Sequence, residues 1–566
     1  MAETLISPGV LARENDQSFI TQGPITVGAA IIGPTARGPV EVPTVVTSYS
    51  EYQNVFGTTI TSASNAYTYF TSITAYNYFN NGGESLLVSR VVSGSYTSAA
   101  ASVYGESTTV AVTFETLAEG LLMNSSSSLN SDGSMDSGSV NNVRWEVTTS
   151  NTGSGTFNLL IRQGDDTTNE KSVLETWTNL SLDPFSPNYV ARLIGDQSFN
   201  YAVDGTSYYL ETSGSYPVAS KYIRVSEVNS PTPNYLDNSG TAKTAYTGSI
   251  PLVAAGGFES ATGDVAGGAK FYDTIDGTNT QGVVGTDYTN MINLLSNSDD
   301  YKYNIMLTPG LYNADYTSQA TSLISNTQER GDNLYILDLV KYGQTVTAVT
   351  GQAASRNTSY ASSYWPWVQV IDPDLGKQVW VPASAVMGGV FAYNDTVSDP
   401  WFAPAGINRG GLGQVVRPER KLAQATRDTL YSSKVNPIAS FPGTGVVVYG
   451  QKTLQTKASA LDRVNVRRLL ITMKSYISQV AQNLVFEQNS AATRNNFLAQ
   501  VNPYLESIQQ KQGLYAFKVI MDETNNSAAV IDRNQLVGQI YIQPTKTAEF
   551  VYLDFNITPT GVAFPA

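Results

Sequence analysis

The chain has no cysteine and no histidine among its 566 residues. The first absence removes disulfides and thiolate metal sites. The second removes Ser-His-Asp and Cys-His catalysis and every imidazole-bound metal. Charge is also scarce: Asp, Glu, Lys and Arg make up 14% of the chain, against 41% hydrophobic residues. That balance fits a globular protein with ample core, not a disordered chain. No run is long and apolar enough to span a bilayer. Met1 leads into Ala2-Glu3-Thr4 with neither a basic segment nor an apolar one behind it, so no secretory signal is read. The expectation is a soluble protein made in a cytoplasm, with no membrane insertion and no cofactor.

Tyrosine is abundant, at 34 copies against 19 Phe and 6 Trp. Tyr buries area while keeping a polar tip, which suits both β-rich cores and large protein contacts. The net charge of −14 is unevenly spread. Residues 1–400 carry 16 Lys and Arg against 37 Asp and Glu, whereas residues 401–566 carry 17 against 10. The basic end therefore predicts a partner with an acidic surface. Direct nucleic-acid binding is not expected, because there is no long Lys/Arg run and no nucleic-acid-binding signature.

The length predicts several domains. Residues 1–22 read as an extended arm, with Pro8 barring helix in Ser7-Pro8-Gly9-Val10. Val27 to Ile32 and Leu86 to Val92 are apolar strands around a helix expected over 67–79. Residues 96–250 shift to Ser, Thr, Gly and Asn, with short strand candidates at 110–114, 143–147 and 157–161, and predict an inserted all-β module. Tyr303 to Leu307, a helix over 314–330 and Leu334 to Val340 form a βαβ unit. Asp462 is a candidate cap for a helix reaching about Phe486, whose apolar face carries Val466, Leu469, Met473, Ile477 and Val480. A second helix over 491–512 and strands near 514–521, 536–543 and 550–557 follow. In the last strand Val551, Leu553, Phe555 and Ile557 alternate with polar residues, so one face wants burial.

Three strings invite a chemical reading. Gly445-Val-Val-Val-Tyr-Gly450-Gln451-Lys452-Thr453 is one residue from a phosphate-binding loop. Gln451 breaks the Gly-Lys register that the amide cradle needs, and Val446 to Val448 reads as a strand. Asp372-Pro373-Asp374 has no third ligand or closing Glu at calcium-loop spacing and reads as a turn. Arg463, Arg467, Arg468 and Lys474 crowd the first half of the 462–486 helix, as either a solvated face or a docking surface for an acidic partner. No catalytic or metal-ligating set is identified.

The motifs resemble those of contractile tail sheath proteins of bacteriophages. Ser7-Pro8-Gly9-Val10, Val27 to Pro34 and Phe79-Asn80-Asn81-Gly82-Gly83 look like the family's N-terminal signature. Tyr364-Trp365-Pro366-Trp367, Val381-Pro382-Ala383-Ser384, Gly388-Gly389-Val390 and Ala403 to Gly406 look like its central one. Val435-Asn436-Pro437-Ile438, Gly450 to Leu454 and Arg463 to Leu469 are the most specific part, and explain the false phosphate loop. Glu175 to Pro184 resembles the larger sheaths of T4-like phages.

The resemblance implies an α+β multidomain fold: an α/β sheath core with a β-rich inserted surface domain and an α+β C-terminal domain with exchanged terminal strands. The expected divisions are an arm over 1–22, core over 23–95 and 251–410, insert over 96–250, a tube-facing domain over 411–547 and a strand arm over 548–566. It implies a non-enzymatic subunit that polymerises with itself as stacked hexameric rings around a tail tube protein. It also implies contacts with baseplate and tail terminator proteins, in a virion tail assembled in the host bacterial cytoplasm. Pro8, Gly9, Val10, Val551, Leu553, Phe555 and Ile557 would be intersubunit arm residues, and Arg463, Arg467, Arg468 and Lys474 tube-facing ones. Two other readings are the sheath of a phage-like bacteriocin or secretion particle, and a cytoplasmic carbohydrate-active enzyme with a β-rich module.

Overall fold

The computed structural model describes residues 26–62, 65–264, 275–550 and 552. At its centre lies a six-stranded sheet. Thr26–Gly33 pairs in parallel with Lys302–Tyr312 on one side and Leu86–Arg90 on the other. Leu334–Asp338 and Ala361–Ser362 extend the sheet in parallel beyond Lys302–Tyr312, and Thr44–Val46 closes the opposite edge antiparallel to Leu86–Arg90. The strands are continuously apolar because both faces are covered. Ile31, Val88, Leu307 and Ile336 face the helices Phe70–Asn80 and Ser384–Val397. Ile32, Leu87, Met306 and Leu337 face the other way, toward Thr289–Leu294, Thr317–Arg330 and Val346–Ala354. The two covering helices Phe70–Asn80 and Ser384–Val397 cross closely at Gly389, where a Cβ would lie 2.6 Å from the Asn77 carbonyl oxygen. That approach gives the Gly388-Gly389 signature a packing reason.

The inserted module is two antiparallel sheets sharing one core. Val173–Ser181, Thr156–Gln163, Val143–Asn151 and Ala254–Gly257 form the first sheet, and Ile223–Glu227, Val110–Glu119 and Ser98–Tyr104 the second. Phe114, Val147, Phe157 and Leu159 fill the space between them. Burying each such side chain contributes roughly 1.5–3 kcal/mol. Ala254–Gly257 and the Ala100–Glu259 bridge belong to this module, so it runs past the expected end at 250. The Ser-rich stretch after residue 124 is tied down at Ser125, whose hydroxyl donates to the Val143 carbonyl at 2.9 Å and accepts from the Phe258 amide at 3.1 Å. Two buried guanidinium groups join module to core. Arg37 donates to the carbonyls of Asn54 and Asn141, each at 2.6 Å. Arg90 donates to those of Gly38 at 2.6 Å and Glu119 at 3.0 Å.

A separate small core forms where Val464–Gln482 and Ala491–Gln510 pack against a hairpin, Leu514–Ile520 with Gln539–Pro544. Leu469, Met473, Phe497, Val501 and Leu505 make its centre. The segment 411–454 does not join it. Val415–Pro418 pairs with Val368–Ile371, and Asn436–Phe441 with both Gly445–Val448 and Tyr364–Trp365. The expected start of the C-terminal domain at 411 is therefore corrected: Leu412, Val415, Ile438 and Val448 are central core residues.

Candidate functional site

Doubly wound sheets of this kind bind ligands at the carboxyl ends of the strands, where the strand order reverses. Here that position lies between Thr26–Gly33 and Lys302–Tyr312, and the chain fills it. Gln281 inserts from the 280–283 turn, its amide accepting from the Phe70 N–H at 2.9 Å and donating to the Pro309 carbonyl at 3.2 Å. The cavity beside it, lined by Thr35, Arg90 and Gly282 among others, has about 20 Å³, room for one water.

The near-miss phosphate loop is structural. Gly445–Val448 is a strand, and the Lys452 ammonium donates to the Tyr431 carbonyl at 2.9 Å while lying 4.2 Å from the Tyr431 ring centroid. The Asn436 side chain accepts from the Lys452 N–H at 2.6 Å and donates to the Lys452 carbonyl at 2.8 Å. Asp372-Pro373-Asp374 is the expected turn: Asp372 accepts from the amides of Asp374 and Leu375, and Asp374 accepts from Tyr49 at 2.9 Å and Gln53 at 2.8 Å. Among the described residues no cluster of three or more acidic side chains could hold a metal. No helix among them is long and apolar enough to cross a membrane.

The basic helix differs from its sequence reading. It spans Val464–Gln482, with Arg463 rather than Asp462 at its cap position and no side-chain cap bond. Arg467 and Arg468 are each only 4% exposed. Arg468 donates to both carboxylate oxygens of Asp395, at 2.8 and 2.5 Å. Arg467 donates to the Ser359 hydroxyl at 2.6 Å and stacks 4.0 Å from the Tyr360 ring centroid. As charges free to meet a partner these two are corrected: they are internal rivets between the helix and the central core. The first six residues of the helix, 464–469, are all buried, so the basic cluster is split. Lys474 alone of the four stays exposed.

Arg463 takes a different role. Its Nε donates to Glu549 Oε1 at 2.6 Å and its Nη2 to Oε2 at 3.0 Å. The Tyr431 hydroxyl donates to the same carboxylate at 2.7 Å and the Gln451 amide at 3.1 Å. Burial pushes the Glu549 carboxyl up, but the hydrogen bonds from Arg463, Tyr431 and Gln451 outweigh it and hold its pKa below the usual range. A groove of about 620 Å³ runs beside this cluster, lined by residues of 458–466 and 546–550. Sequence reasoning missed Glu549 and Tyr431. The available signal was Gln451, a polar residue in a strand-flanking motif with no chemistry of its own.

The neighbouring hairpin is two-stranded among the described residues. Phe517, Val519, Ile540 and Ile542 turn toward the small core, while Tyr515 and Tyr541 face out. The arm residues Pro8, Gly9, Val10, Val551, Leu553, Phe555 and Ile557 lie outside the described residues.

Comparison with known proteins agrees with this division. The phage tail sheath protein central domain matches residues 281–454, and the phage tail sheath C-terminal domain matches residues 456–558. The tail sheath protein of Vibrio phage KVP40 is 38% identical over 257 residues, covering 44% of this chain and 37% of the relative. That of Enterobacteria phage T4 is 40% identical over 185 residues, covering 33% and 28%. The chain thus spans about a third of the length of the curated relatives it matches. In fold it is similar to the crystal structure of a sheath tail protein from Listeria innocua, with a TM-score of 0.52 at 9% identity over 88% of this chain and 89% of the other.

Proposed function

From its membership of the phage contractile tail sheath family, we propose that this chain is the structural subunit of a tail sheath, stacking as hexameric rings around a tail tube and contracting to drive the tube through the host envelope. The observation that carries the reading is the hairpin of the C-terminal unit, Leu514–Ile520 with Gln539–Pro544, two-stranded among the described residues, in a chain matching both sheath domains. Unpaired strand edges are templates for further strands. The arms around Pro8, Gly9 and Val10 and around Val551, Leu553, Phe555 and Ile557 supply them in trans. Each added backbone hydrogen bond contributes about 0.5–1.5 kcal/mol, so a junction of several is worth several kcal/mol.

Such a sleeve stays connected while its subunits rotate. Contraction then draws on a metastable extended state, with a small gap per subunit released cooperatively. The filled crevice at Gln281 and the strand at Gly445–Val448 accord with a device that uses no nucleotide. The acidic inserted module faces outward, and the C-terminal unit faces the tube, with exposed Lys474 on that side. The further partners are baseplate and tail terminator proteins, in a virion tail assembled in the host cytoplasm. Electron microscopy of the purified full chain tests the reading: regular hollow sleeves are expected, and a persistent monomer across concentration and salt would overturn it.

A further inference from the structure

We infer that Glu549 is the fixed root of the C-terminal arm, its carboxylate setting the point and direction from which the chain leaves the subunit. The inference rests on the strand-exchange reading for what the arm does, and on local geometry for where it starts.

Three separate elements converge on this one side chain. Arg463 comes from the cap of Val464–Gln482, Tyr431 from the helix Gln424–Ser432, and Gln451 from the loop after Gly445–Val448. Tyr431 and Arg463 are themselves held. Lys452 fixes Tyr431, Asn436 fixes Lys452, and Asp462 lies 3.0 Å from Arg463 Nη1. The receiving fork is therefore preorganised, and a charge-assisted bidentate pair of this kind carries orientation as well as energy.

The arm root has little else to hold it. The Thr545 amide pairs with the Gly513 carbonyl at 3.2 Å. Among the described residues, the backbone of 546–550 makes no further hydrogen bond of this kind. Thr547 accepts from Gln451 at 2.5 Å, and the groove on the other flank leaves the segment unpacked there. Side chains rather than a sheet ladder thus hold 546–550, and Glu549 makes most of those bonds.

The absence of native cysteine permits a clean test. A spin label on Ala548→Cys in the full chain reports the motion of the root, while electron microscopy of the same samples reports sleeves. Glu549→Gln keeps the shape and removes the charge. It is expected to sharpen the label's spectrum and to yield about tenfold fewer sleeves at equal concentration, with unchanged thermal unfolding. The exchanged pair Arg463→Glu with Glu549→Arg is expected to restore both in part. An unchanged spectrum in Glu549→Gln overturns the anchor. A mobile spectrum with normal sleeves overturns its positioning role. If no variant forms sleeves, the unsubstituted chain included, while the spectral difference persists, the anchor stands and the assembly reading fails.

Discussion

Arg468 grips Asp395 with both terminal nitrogens, at 2.8 and 2.5 Å, and its guanidinium lies 4.8 Å from the Phe391 ring centroid. Asp395 and Phe391 sit on Ser384–Val397, which covers the central sheet, and Arg468 sits on Val464–Gln482, which carries the C-terminal unit. The pair is a joint between two units.

Removing one partner leaves the other charged and only partly solvated. Arg468→Ala is expected to cost about 3 kcal/mol, toward the low end for a broken buried pair because Asp395 keeps some contact with water. Chemical denaturation checks this, and a double-mutant cycle with Asp395→Ala should return a coupling energy of about 1 kcal/mol or more.

Charge reversal distinguishes the two kinds of basic residue on the helix. Arg467→Glu should destabilise the fold, since it places a carboxylate against Tyr360 in the interior. Lys474→Glu should leave stability within about 0.5 kcal/mol, as exposed substitutions do. If Lys474 faces the tube, the same change weakens assembly on it, more so at low salt. Equal binding across a salt series would remove Lys474 from that interface.

A pH dependence is set at Asp338, the buried end of Leu334–Asp338. It accepts from the Ser384 amide at 3.1 Å and the Ser384 hydroxyl at 2.5 Å, at the start of Ser384–Val397. Burial, only partly offset by those two bonds, raises its carboxyl to about 7. The folded state thus holds the proton more tightly than the unfolded chain, where Asp titrates near about 3.9. The resulting stability is fully present below that value and is lost as pH rises through about 7. Asp338→Asn should flatten this slope, raising the unfolding midpoint at pH near 8 relative to the parent and little at pH near 4. Parallel slopes would refute the assignment.

Deleting residues 1–22, or everything after Glu549, is expected to abolish sleeves while leaving a folded monomer. Circular dichroism and sedimentation report the two outcomes separately. Normal sleeves from either truncation would refute strand exchange.

The sequence by itself determined the elements whose signal is local. Continuous apolar runs at 27–32, 86–92 and 303–307, with a helix stopped by Gly331, were enough to read a βαβ sheet, because a strand covered on both faces leaves no polar alternation. The all-β character of the insert was legible from short strands split by turn residues. Local signals fell short where neighbours override them. The helix expected from 67 begins at Phe70, because Asn65–Thr68 pairs instead with Thr59–Ser62. The helix Tyr49–Phe56, started by Ser48, carries too short and polar a pattern to stand out in sequence.

Only the tertiary structure decided what the charges do. Four basic residues within twelve positions look alike in sequence. Folding buries Arg467 and Arg468 against Tyr360 and Asp395, turns Arg463 to Glu549, and leaves Lys474 in water. Those partners lie 73 to 107 residues away in the chain. Helical period sets which way a side chain points, but what waits there to receive it is fixed by the packing of distant segments.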